Sequence, residues 1–379
     1  MNKVVMLLSN PFVSDPRVYA EARALSESGY DVTVVAWDRT CAHPETEDRD
    51  GIHIRRVRVR ATFGRGARQL LPFFAFWRQA MAALSQMKVD VVHCHDLDTL
   101  FAGWVVAHRQ CAGLVYDAHE CYPAMFAVHG SQLVPRLLAM VETGLSKQVD
   151  VVITIGQLLA HRFRAMTPKP VFVVGNWKNS HEYQVDTERM HAVAKRLGIG
   201  DRLVVSYIGG INRDRIFYPL IAAVKNRPQA FLIIAGDGDQ REEVVRLIEG
   251  MDNGVYLGRI PFEDVPQYVA LSDVVYYGID ASCPNNQFSA PNALFAALAA
   301  GKAVLTTSVG EIAQIVREEG CGIVLGFPSV QAIENALERM ENPTFLHQCK
   351  QNAIYAGQTK YNWENAQRIL LSIYKDLTA

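Results

Sequence analysis

The sequence lacks the features that mark secreted, membrane-spanning and metal-stapled proteins. Its seven cysteines are an odd number and contain no Cys-x-x-Cys pair, which argues against a disulfide framework and a structural zinc site. No apolar stretch approaches the roughly 20 residues that span a bilayer. The apolar run in KVVMLLSNPF is also too short for a signal-peptide core. We therefore expect a cytoplasmic chain.

The chain also lacks a strong net charge. Its 38 lysines and arginines nearly balance its 39 aspartates and glutamates, so no global field favours nucleic acid as a partner. Short-period repeats and low-complexity tracts are missing as well, which excludes repeat architectures. The length of 379 residues predicts two domains, since one domain takes roughly 150 residues.

Apolar runs rich in β-branched residues alternate with longer amphipathic stretches. This alternation is typical of parallel βαβ units and predicts doubly wound α/β sheets. It pauses in the polar segment that begins VVGNWKNS and restarts at RLVVSYIGG. We therefore predict two Rossmann-like domains, at residues 1–175 and 176–360, with a last helix at 361–379 that returns to the first domain. Two facing sheets of this kind direct the carboxyl ends of their strands toward a shared cleft, where ligands bind.

In the second domain, the segment SYIGGINRDR has the profile of a phosphate site. Gly209 and Gly210 follow a strand and allow close approach to the backbone. Arg213 and Arg215 lie near the start of the next helix, where the helix dipole also favours an anion. The alternative is a tight turn with two solvated arginines.

The segment SAPNALFAALAAGKAVL reads as a helix start, a glycine stop at Gly301 and a buried strand. Pro291 suits the first helical turn, Ser289 or Ala290 suits the cap, and Asn292 would then begin the exposed N–H groups. These groups would bind a diphosphate without basic side chains. A further glycine turn follows at Gly310. The alternative, that the alanines serve tight packing on the sheet, is compatible with this role.

In the first domain, DVVHCHDLDTL and LVYDAHECYP each end a strand with histidine and acidic residues. His119 lies between Asp117 and Glu120, a setting that orients an imidazole or raises its pKa. We interpret His93, Cys94 and His95 as a poor metal cage, because neighbouring side chains of a strand point to opposite faces. We expect no metal site.

Seven arginines and no acidic residue occupy the segment from IHIRRVRVR to FWRQAM. Two interpretations are open. The segment settles on an anionic membrane surface, with its aromatic residues entering the interface, or it forms a solvated strand and loop followed by a packed helix. The arginines are Arg55, Arg56, Arg58, Arg60, Arg65, Arg68 and Arg78.

These motifs together carry a family resemblance. In order, DPRVYAEARALSESGYDVTVVAW, DVVHCHDLDTL, YDAHECYP, SYIGGINRDR, IIAGDGD, VYLGRI, SDVVYYGI and APNALFAALAAGKAVL resemble the retaining glycosyltransferases of family 4. The resemblance covers nearly the whole chain, and it implies two Rossmann-like domains in the arrangement called GT-B. It also implies sugar transfer from a nucleotide-sugar with retention at the anomeric carbon, without a metal ion or other cofactor.

The resemblance also implies roles for single residues. His119 matches the family histidine that hydrogen-bonds the donor sugar, and Arg215 matches a basic residue that neutralises the diphosphate. Arg259 and Ile260 match the segment that holds the nucleobase. The acceptor belongs mainly to the first domain, where Asp15, Arg17, His95, Asp96 and Glu120 are the candidate acceptor-side residues.

The chain departs from the family pattern at several positions. Gly210 stands where a basic residue is common, although Arg213 offers a replacement charge. Phe288 and Ala296 occupy the positions of two family glutamates, and Ala293 that of a lysine. The second glutamate usually holds the donor ribose, and losing such a charge-assisted hydrogen bond weakens binding by roughly 1.5–3 kcal/mol.

These observations favour a transferase that moves a sugar from a UDP- or GDP-sugar to a cell-envelope, polysaccharide or lipid-linked acceptor. We expect it in the cytoplasm, peripheral on the inner face of the membrane through Arg55–Arg78. One alternative is a non-catalytic relative that binds a nucleotide-sugar or serves as a scaffold. A further alternative is a sugar-nucleotide epimerase, which shares the phosphate chemistry.

Overall fold

The computed structural model describes residues 1–13, 15–62, 70–127 and 132–378. It divides into two compact units. Unit 1 comprises Met1–Val174 and the chain from Ala366 onward, and unit 2 comprises Gly175–Asn365. Arg65 and Arg68 lie outside the described residues.

Unit 1 contains an eight-stranded sheet in which β3 runs antiparallel to β4 and the other neighbours are parallel. The spatial order is β3-β4-β2-β1-β5-β6-β7-β8. The central strands are buried along most of their length, which explains their continuous apolar sequence. The strands are β1 (Lys3–Leu8), β2 (Asp31–Asp38), β3 (Thr46–Arg49), β4 (Ile52–Arg58), β5 (Val91–His95), β6 (Gly113–Ala118), β7 (Val151–Thr154) and β8 (Val171–Val173).

The helices of unit 1 connect these strands. Helix α1 begins where Asp15 caps it through the N–H of Val18 and Pro16 takes the first helical position, both favourable at a helix start. The helices are α1 (Pro16–Glu27), α2 (Leu70–Ser85), α3 (Leu97–Gln110), α4 (Tyr122–Met125), α5 (Leu133–Ser146) and α6 (Gln157–Met166). Helix α15 (Trp363–Leu377) starts in unit 2 and continues in unit 1.

Unit 2 contains a six-stranded, wholly parallel sheet with the order β11-β10-β9-β12-β13-β14. Its strands are β9 (Leu203–Ile208), β10 (Ala230–Ala235), β11 (Gly254–Tyr256), β12 (Val274–Tyr277), β13 (Ala303–Thr307) and β14 (Gly322–Leu325). Its helices are α7 (Thr187–Leu197), α8 (Tyr218–Lys225), α9 (Arg241–Ile248), α10 (Val265–Leu271), α11 (Asn292–Ala299), α12 (Gly310–Glu319), α13 (Val330–Met340) and α14 (Pro343–Thr359).

The prediction of two α/β domains with parallel sheets is confirmed. Within the described ranges, none of the helices combines the length and the apolar character that crossing a bilayer demands.

Candidate functional site

Each sheet has one point at which the strand order reverses, and ligands of open α/β sheets bind outside the carboxyl ends of the strands there. In unit 1 this point lies between β1 and β5, because β2 and β4 extend from β1 on one side and β6 and β7 from β5 on the other. In unit 2 it lies between β9 and β12. The candidate site residues of each unit are therefore expected at its edge.

Asp117, the penultimate residue of β6, is the centre of a buried ion-pair network in unit 1. Arg17 Nη2 lies 2.8 Å from Asp117 Oδ1 and 3.0 Å from Glu21 Oε1. Arg17 Nη1 also donates to the carbonyl of Val174 at 2.6 Å. Asp117 and Glu21 have no exposed surface. Arg17, predicted as an acceptor-side residue, is thus held in place by two carboxylates and a backbone carbonyl.

His119 lies just beyond the end of β6, in contact with this network. Its Nε2 is 2.9 Å from Asp117 Oδ2 and 3.1 Å from His95 Nδ1. Its backbone N–H donates to Asp96 Oδ1 at 2.9 Å. The structure therefore brings His119, His95 and Asp96 together at the carboxyl ends of β5 and β6.

The imidazoles of His119 and His95 differ in charge because their surroundings differ. Burial lowers the pKa of His119, but the Asp117 and Asp96 carboxylates raise it more strongly, to about 10. Burial and the neighbouring His93 lower the pKa of His95 to about 3. At neutral pH, His119 is therefore a positively charged imidazolium, and His95 is a neutral imidazole.

The two carboxyl groups also differ. Burial alone would raise the pKa of Asp117, but Arg17 and His119 hold it well below its usual range. For Glu21, burial outweighs the attraction of Arg17 and raises the pKa to about 8. Asp117 thus carries the negative charge of the network, while Glu21 is largely protonated at neutral pH.

Four metal-ligand side chains converge in this cluster, namely Glu21, His93, His95 and Asp117, with one ligand atom of each lying within 4.8 Å of the others. The sequence argument against His93 and His95 was wrong in one respect. Residues two apart share a face of a strand, and the two rings stack with centroids 4.4 Å apart. The Arg17 guanidinium nevertheless already lies within hydrogen-bond distance of both carboxyl groups, which disfavours a second cation at the same place.

The other predicted acceptor-side residues have different surroundings. Asp15 is occupied by the cap of α1 and by a hydrogen bond from Asn10 Nδ2 at 2.9 Å, so it acts as a structural cap in this conformation. Glu120 follows His119 and is partly exposed. Asp96 takes a φ of 62° and a ψ of 167°, a region that is nearly confined to glycine and marks backbone strain at functional positions.

The edge of unit 2 is built from glycine backbone. A Cβ on Gly236, which has a φ of +139°, would lie 1.8 Å from the carbonyl oxygen of Gly209. A Cβ on Gly310, at a φ of +74°, would lie 2.6 Å from the carbonyl oxygen of Asn286. The loops after β9 and β10, and those after β12 and β13, therefore touch through their main chains. Gly209 and Gly310 were predicted for this edge, whereas Gly236 was not.

Arg215 is the charged side chain packed into this edge. It pairs with Asp214, and its guanidinium carbon lies 5.0 Å from the ring centroid of Tyr277, at the end of β12. Burial lowers the pKa of this guanidinium, but Tyr277, Tyr207 and Asp214 together raise it by more than burial lowers it. Arg215 therefore stays charged. Arg213 is different, since its side chain is 84% exposed and lies 3.4 Å from Asp239.

Helix α11 starts one or two residues later than predicted. Pro291 is the cap residue instead of the first helical residue, it offers no side-chain hydrogen bond, and Asn292 begins the helix. The expectation that Ser289 or Ala290 forms the cap was therefore wrong. Ser289 instead accepts the N–H of Ile312 in α12 through its carbonyl, which joins the starts of the two helices.

A lysine from elsewhere in unit 2 reaches the start of α11. Lys178 Nζ donates to Asn292 Oδ1 at 2.6 Å. Asn292 directly precedes Ala293, the residue that the sequence resemblance aligns with a family lysine. Ala296, which the resemblance aligns with a family glutamate, is 4% exposed. The sequence pattern did not indicate Lys178, because its contact spans 114 positions.

Arg259 and Ile260 follow β11, the edge strand of the unit 2 sheet. Arg259 is exposed and Ile260 is half-buried. Gly258, directly before them, accepts the N–H of Gly236 through its carbonyl at 2.8 Å. The segment predicted to hold a nucleobase is thus joined by backbone to the glycine edge.

The arginine segment does not form one exposed face. Arg56 is 3% exposed and donates to the carbonyls of Pro11 and Pro44 and to Glu47. Arg58 is exposed and bonds the carbonyl of Cys41. The alternation of Arg56, Arg58 and Arg60 therefore does not place three arginines on a common surface, which counts against this part of the membrane interpretation.

Sequence reasoning missed Glu21, although a signal was present. Glu21 lies four residues after Arg17, a spacing at which opposite charges meet on a helix. It also falls among Val18, Ala22 and Leu25 on the buried face of α1. An acidic residue on an apolar face usually has a buried partner.

Two family models match the chain in succession. Residues 17–179 match the model described as Glycosyltransferase Family 4. Residues 202–342 match the model described as Glycosyl transferases group 1. The first match lies within unit 1 except for its last five residues, and the second lies entirely within unit 2.

A similar protein is also described as a glycosyltransferase, and similar solved structures share the fold. An uncharacterised glycosyltransferase of Methanocaldococcus jannaschii is 24% identical and aligns with 93% of this chain and 92% of its own. A sucrose-phosphate synthase from Thermosynechococcus elongatus has a TM-score of 0.83 at 18% identity, covering 99% of both chains. Anabaena HepE, solved in complex with UDP-glucose, has a TM-score of 0.74 at 15% identity, covering 99% of this chain and 100% of its own.

Proposed function

Since residues 17–179 and 202–342 match two glycosyltransferase family models and the fold is that of GT-B glycosyltransferases, we propose that this chain transfers a sugar from a UDP- or GDP-sugar to a carbohydrate acceptor, with retention at the anomeric carbon. Its relatives already indicate a sugar-transferring enzyme. The donor, the acceptor and the stereochemistry are our proposal. The acceptor class that we propose is a cell-envelope, polysaccharide or lipid-linked carbohydrate.

The observation that carries the proposal is the glycine edge of unit 2 with the charged Arg215 packed into it. A nucleotide-sugar presents two phosphates, which need close backbone approach, N–H donors and positive charge. Gly209, Gly236 and Gly310 provide the close approach, and α11 begins without a side-chain cap. One protein of similar structure was solved in complex with UDP-glucose, which agrees with this donor class.

In the proposed reaction, Arg215 stabilises the negative charge that develops on the departing diphosphate. Fixed positive groups aimed at developing charge are a large source of rate enhancement. The imidazolium of His119 donates a hydrogen bond to the donor sugar. Its raised pKa suits it to donate and makes it unsuited to act as a general base. We propose that the reaction needs no metal ion or other cofactor.

The proposal is tested by nucleotide binding. We expect UDP or GDP, or one of their sugars, to raise the melting temperature of the purified protein. Arg215→Ala should weaken binding by roughly 10- to 100-fold, since a hydrogen bond to a charged group contributes about 1.5–3 kcal/mol. Arg246→Ala is the matched control, because Arg246 is 69% exposed on α9 and pairs with Glu243. If no nucleotide changes the melting temperature at millimolar concentration, the transferase proposal fails.

Catalysis is tested separately through His119. We expect His119→Ala and the milder His119→Gln to keep nucleotide binding, because His119 belongs to unit 1. Turnover should fall by about 100- to 1000-fold, the effect of removing one positioned donor. Unchanged turnover in a folded His119→Gln variant would remove His119 from the catalytic role.

A non-catalytic nucleotide-sugar-binding or scaffold protein is the second candidate. The buried Ala296 favours it, since a methyl group offers the donor ribose no hydrogen bond. Sugar binding without transfer or hydrolysis of any UDP- or GDP-sugar would support this candidate over the transferase.

A further inference from the structure

Three neighbouring helices of unit 1 expose large apolar side chains to solvent. Helix α3 contacts both α2 and α5. We propose that the outer surface of these helices, here called the α2-α3-α5 face, docks the protein onto an anionic lipid bilayer. Its exposed apolar residues are Leu71, Phe74, Phe101, Leu133, Val134, Leu137, Met140 and Val141.

Helix α5 directs an apolar stripe away from the sheet. Leu133, Leu137, Met140 and Val141 recur at spacings of three and four residues, which places them on one side of the helix. Leu137 is 51% and Met140 is 70% exposed. The buried residues of the helix include the polar Glu142 and Ser146. This is the reverse of an ordinary surface helix, whose apolar stripe faces the core.

Helices α2 and α3 contribute a continuous run of aromatic rings. Trp77 has its ring centroid 5.5 Å from that of Phe74 and 5.2 Å from that of Phe101. Phe101 in turn lies 6.2 Å from Trp104. Both tryptophans are half-buried. Amphipathic aromatic rings are the side chains that favour the level of the lipid headgroups.

The exposed charged residues of these helices carry one sign. Arg78, Arg109, Arg136 and Lys147, the last directly after α5, are exposed. Over the part of α2, α3 and α5 that the structure describes, the acidic residues are Asp98 and Glu142, and neither is exposed. Glu142 is buried against Arg162 and Tyr116. An apolar surface with basic residues matches the anionic headgroups of a bilayer.

The same charges disfavour a second copy of the chain as the occupant. A two-fold dimer places the same surface on both partners, so Arg136 and Lys147 of one copy would face the basic residues of the other. The docking surface shares α2 and Arg78 with the arginine segment but does not include strand β4, in which Arg56 is buried. This inference does not depend on sugar transfer, because it uses none of the residues of the proposed donor site.

The experiment is vesicle flotation of the full chain with phosphatidylcholine vesicles and with vesicles that also contain phosphatidylglycerol. We expect flotation with the anionic vesicles, weakening as salt screens the charges. The double substitution Leu137→Glu with Met140→Glu should abolish it. The matched control is Phe327→Glu, because Phe327 is 78% exposed in unit 2. Arg136→Glu with Lys147→Glu should reduce flotation at least about 10-fold, whereas Arg58→Glu with Arg60→Glu should leave it unchanged.

Several outcomes would overturn the inference. These are a wild-type protein that stays unbound at low salt, or a Leu137→Glu, Met140→Glu variant that floats like the wild type. A variant that loses a dimer in analytical ultracentrifugation, with flotation unchanged, would assign the face to a second copy. The nucleotide-induced change in melting temperature is measured on the same variants. It reports on the proposed function alone, so the two proposals fail independently.

Discussion

In unit 1 the carboxyl edge of the sheet is lined by buried charged side chains, whereas in unit 2 the corresponding edge is lined by glycine backbone around Arg215. Asp117 in unit 1 pairs with Arg17 and His119 at 2.8 and 2.9 Å. In unit 2, Gly236 leaves no room for a Cβ against Gly209. The first edge is therefore sensitive to the loss of a charge, and the second to the gain of an atom.

The largest expected effect is from Asp117→Asn. It keeps the size of the side chain but leaves the buried Arg17 and His119 without their shared anion. Breaking a buried pair in this way costs about 3–5 kcal/mol. Denaturant unfolding should show this loss. Asp214→Asn is the matched control in unit 2, because Asp214 is 28% exposed, so solvent screens its pair more than that of Asp117 and its loss should cost less. Equal losses of unfolding free energy in the two variants would contradict the difference between the two sheet edges.

The charge of His119 should make stability depend on pH. The pKa of His119 is about 10 in the folded protein and 6.5 ordinarily. Its stabilising contribution is therefore complete below pH 6.5 and is lost as the pH rises toward 10. The contribution of His119 to the free energy of unfolding should fall by roughly 2 kcal/mol between about pH 7 and about pH 9, since one proton contributes at most about 1.4 kcal/mol per pH unit.

His119→Gln is the comparison that isolates this effect, because glutamine does not titrate. Its unfolding free energy should change less with pH than that of the wild type over the same interval. Arg215 in unit 2 stays protonated throughout, because its pKa is raised. Parallel pH profiles for the wild type and His119→Gln would show that His119 is not charged in the folded state.

The backbone edge is tested by Gly236→Ala. The new methyl would meet the Gly209 carbonyl at 1.8 Å, so the loops after β9 and β10 must separate and nucleotide binding should be lost. Gly250→Ala is the control, since Gly250 has a φ of +74° but no atom within 4 Å of the added Cβ. Gly236→Ala should cost about 1–3 kcal/mol more than the control. Similar costs and retained nucleotide binding would argue against the close contact.

The smallest effect concerns the ammonium at the start of α11. We expect Lys178→Ala to weaken nucleotide binding by about 10-fold, near the lower limit for a hydrogen bond to a charged group. Adding Ala293→Lys should restore nucleotide binding, because it returns a positive charge to the start of α11, at the position that the resemblance aligns with a family lysine. Calorimetry on both variants would decide this. An unchanged Lys178→Ala variant would leave Lys178 as a purely structural contact.

Much of the fold was predictable, but the edge hairpin was not identified. The alternation of buried strands and helices correctly predicted two parallel sheets. The hairpin of β3 and β4 was missed, although Asp50 and Gly51 form its turn with φ values of 52° and 78°. Asp-Gly is the preferred pair for such a turn. The hairpin was missed because its first strand, TEDR, is polar. An edge strand needs no continuous apolar sequence, so the pattern of apolar runs did not indicate it.

The sequence by itself determined the fold class and the resemblance to glycosyltransferases, because strand periodicity, glycine turns and motif order are local properties of the chain. It also placed His119 and Arg215 after strands, at the edges where ligands of such sheets bind. Only the tertiary structure decided which groups meet there. Glu21, His95 and Asp117 converge although 96 residues separate the first from the last, and Lys178 reaches Asn292 across 114. The pKa values and charges of the site arise from burial and from these long-range pairs, which no local pattern records.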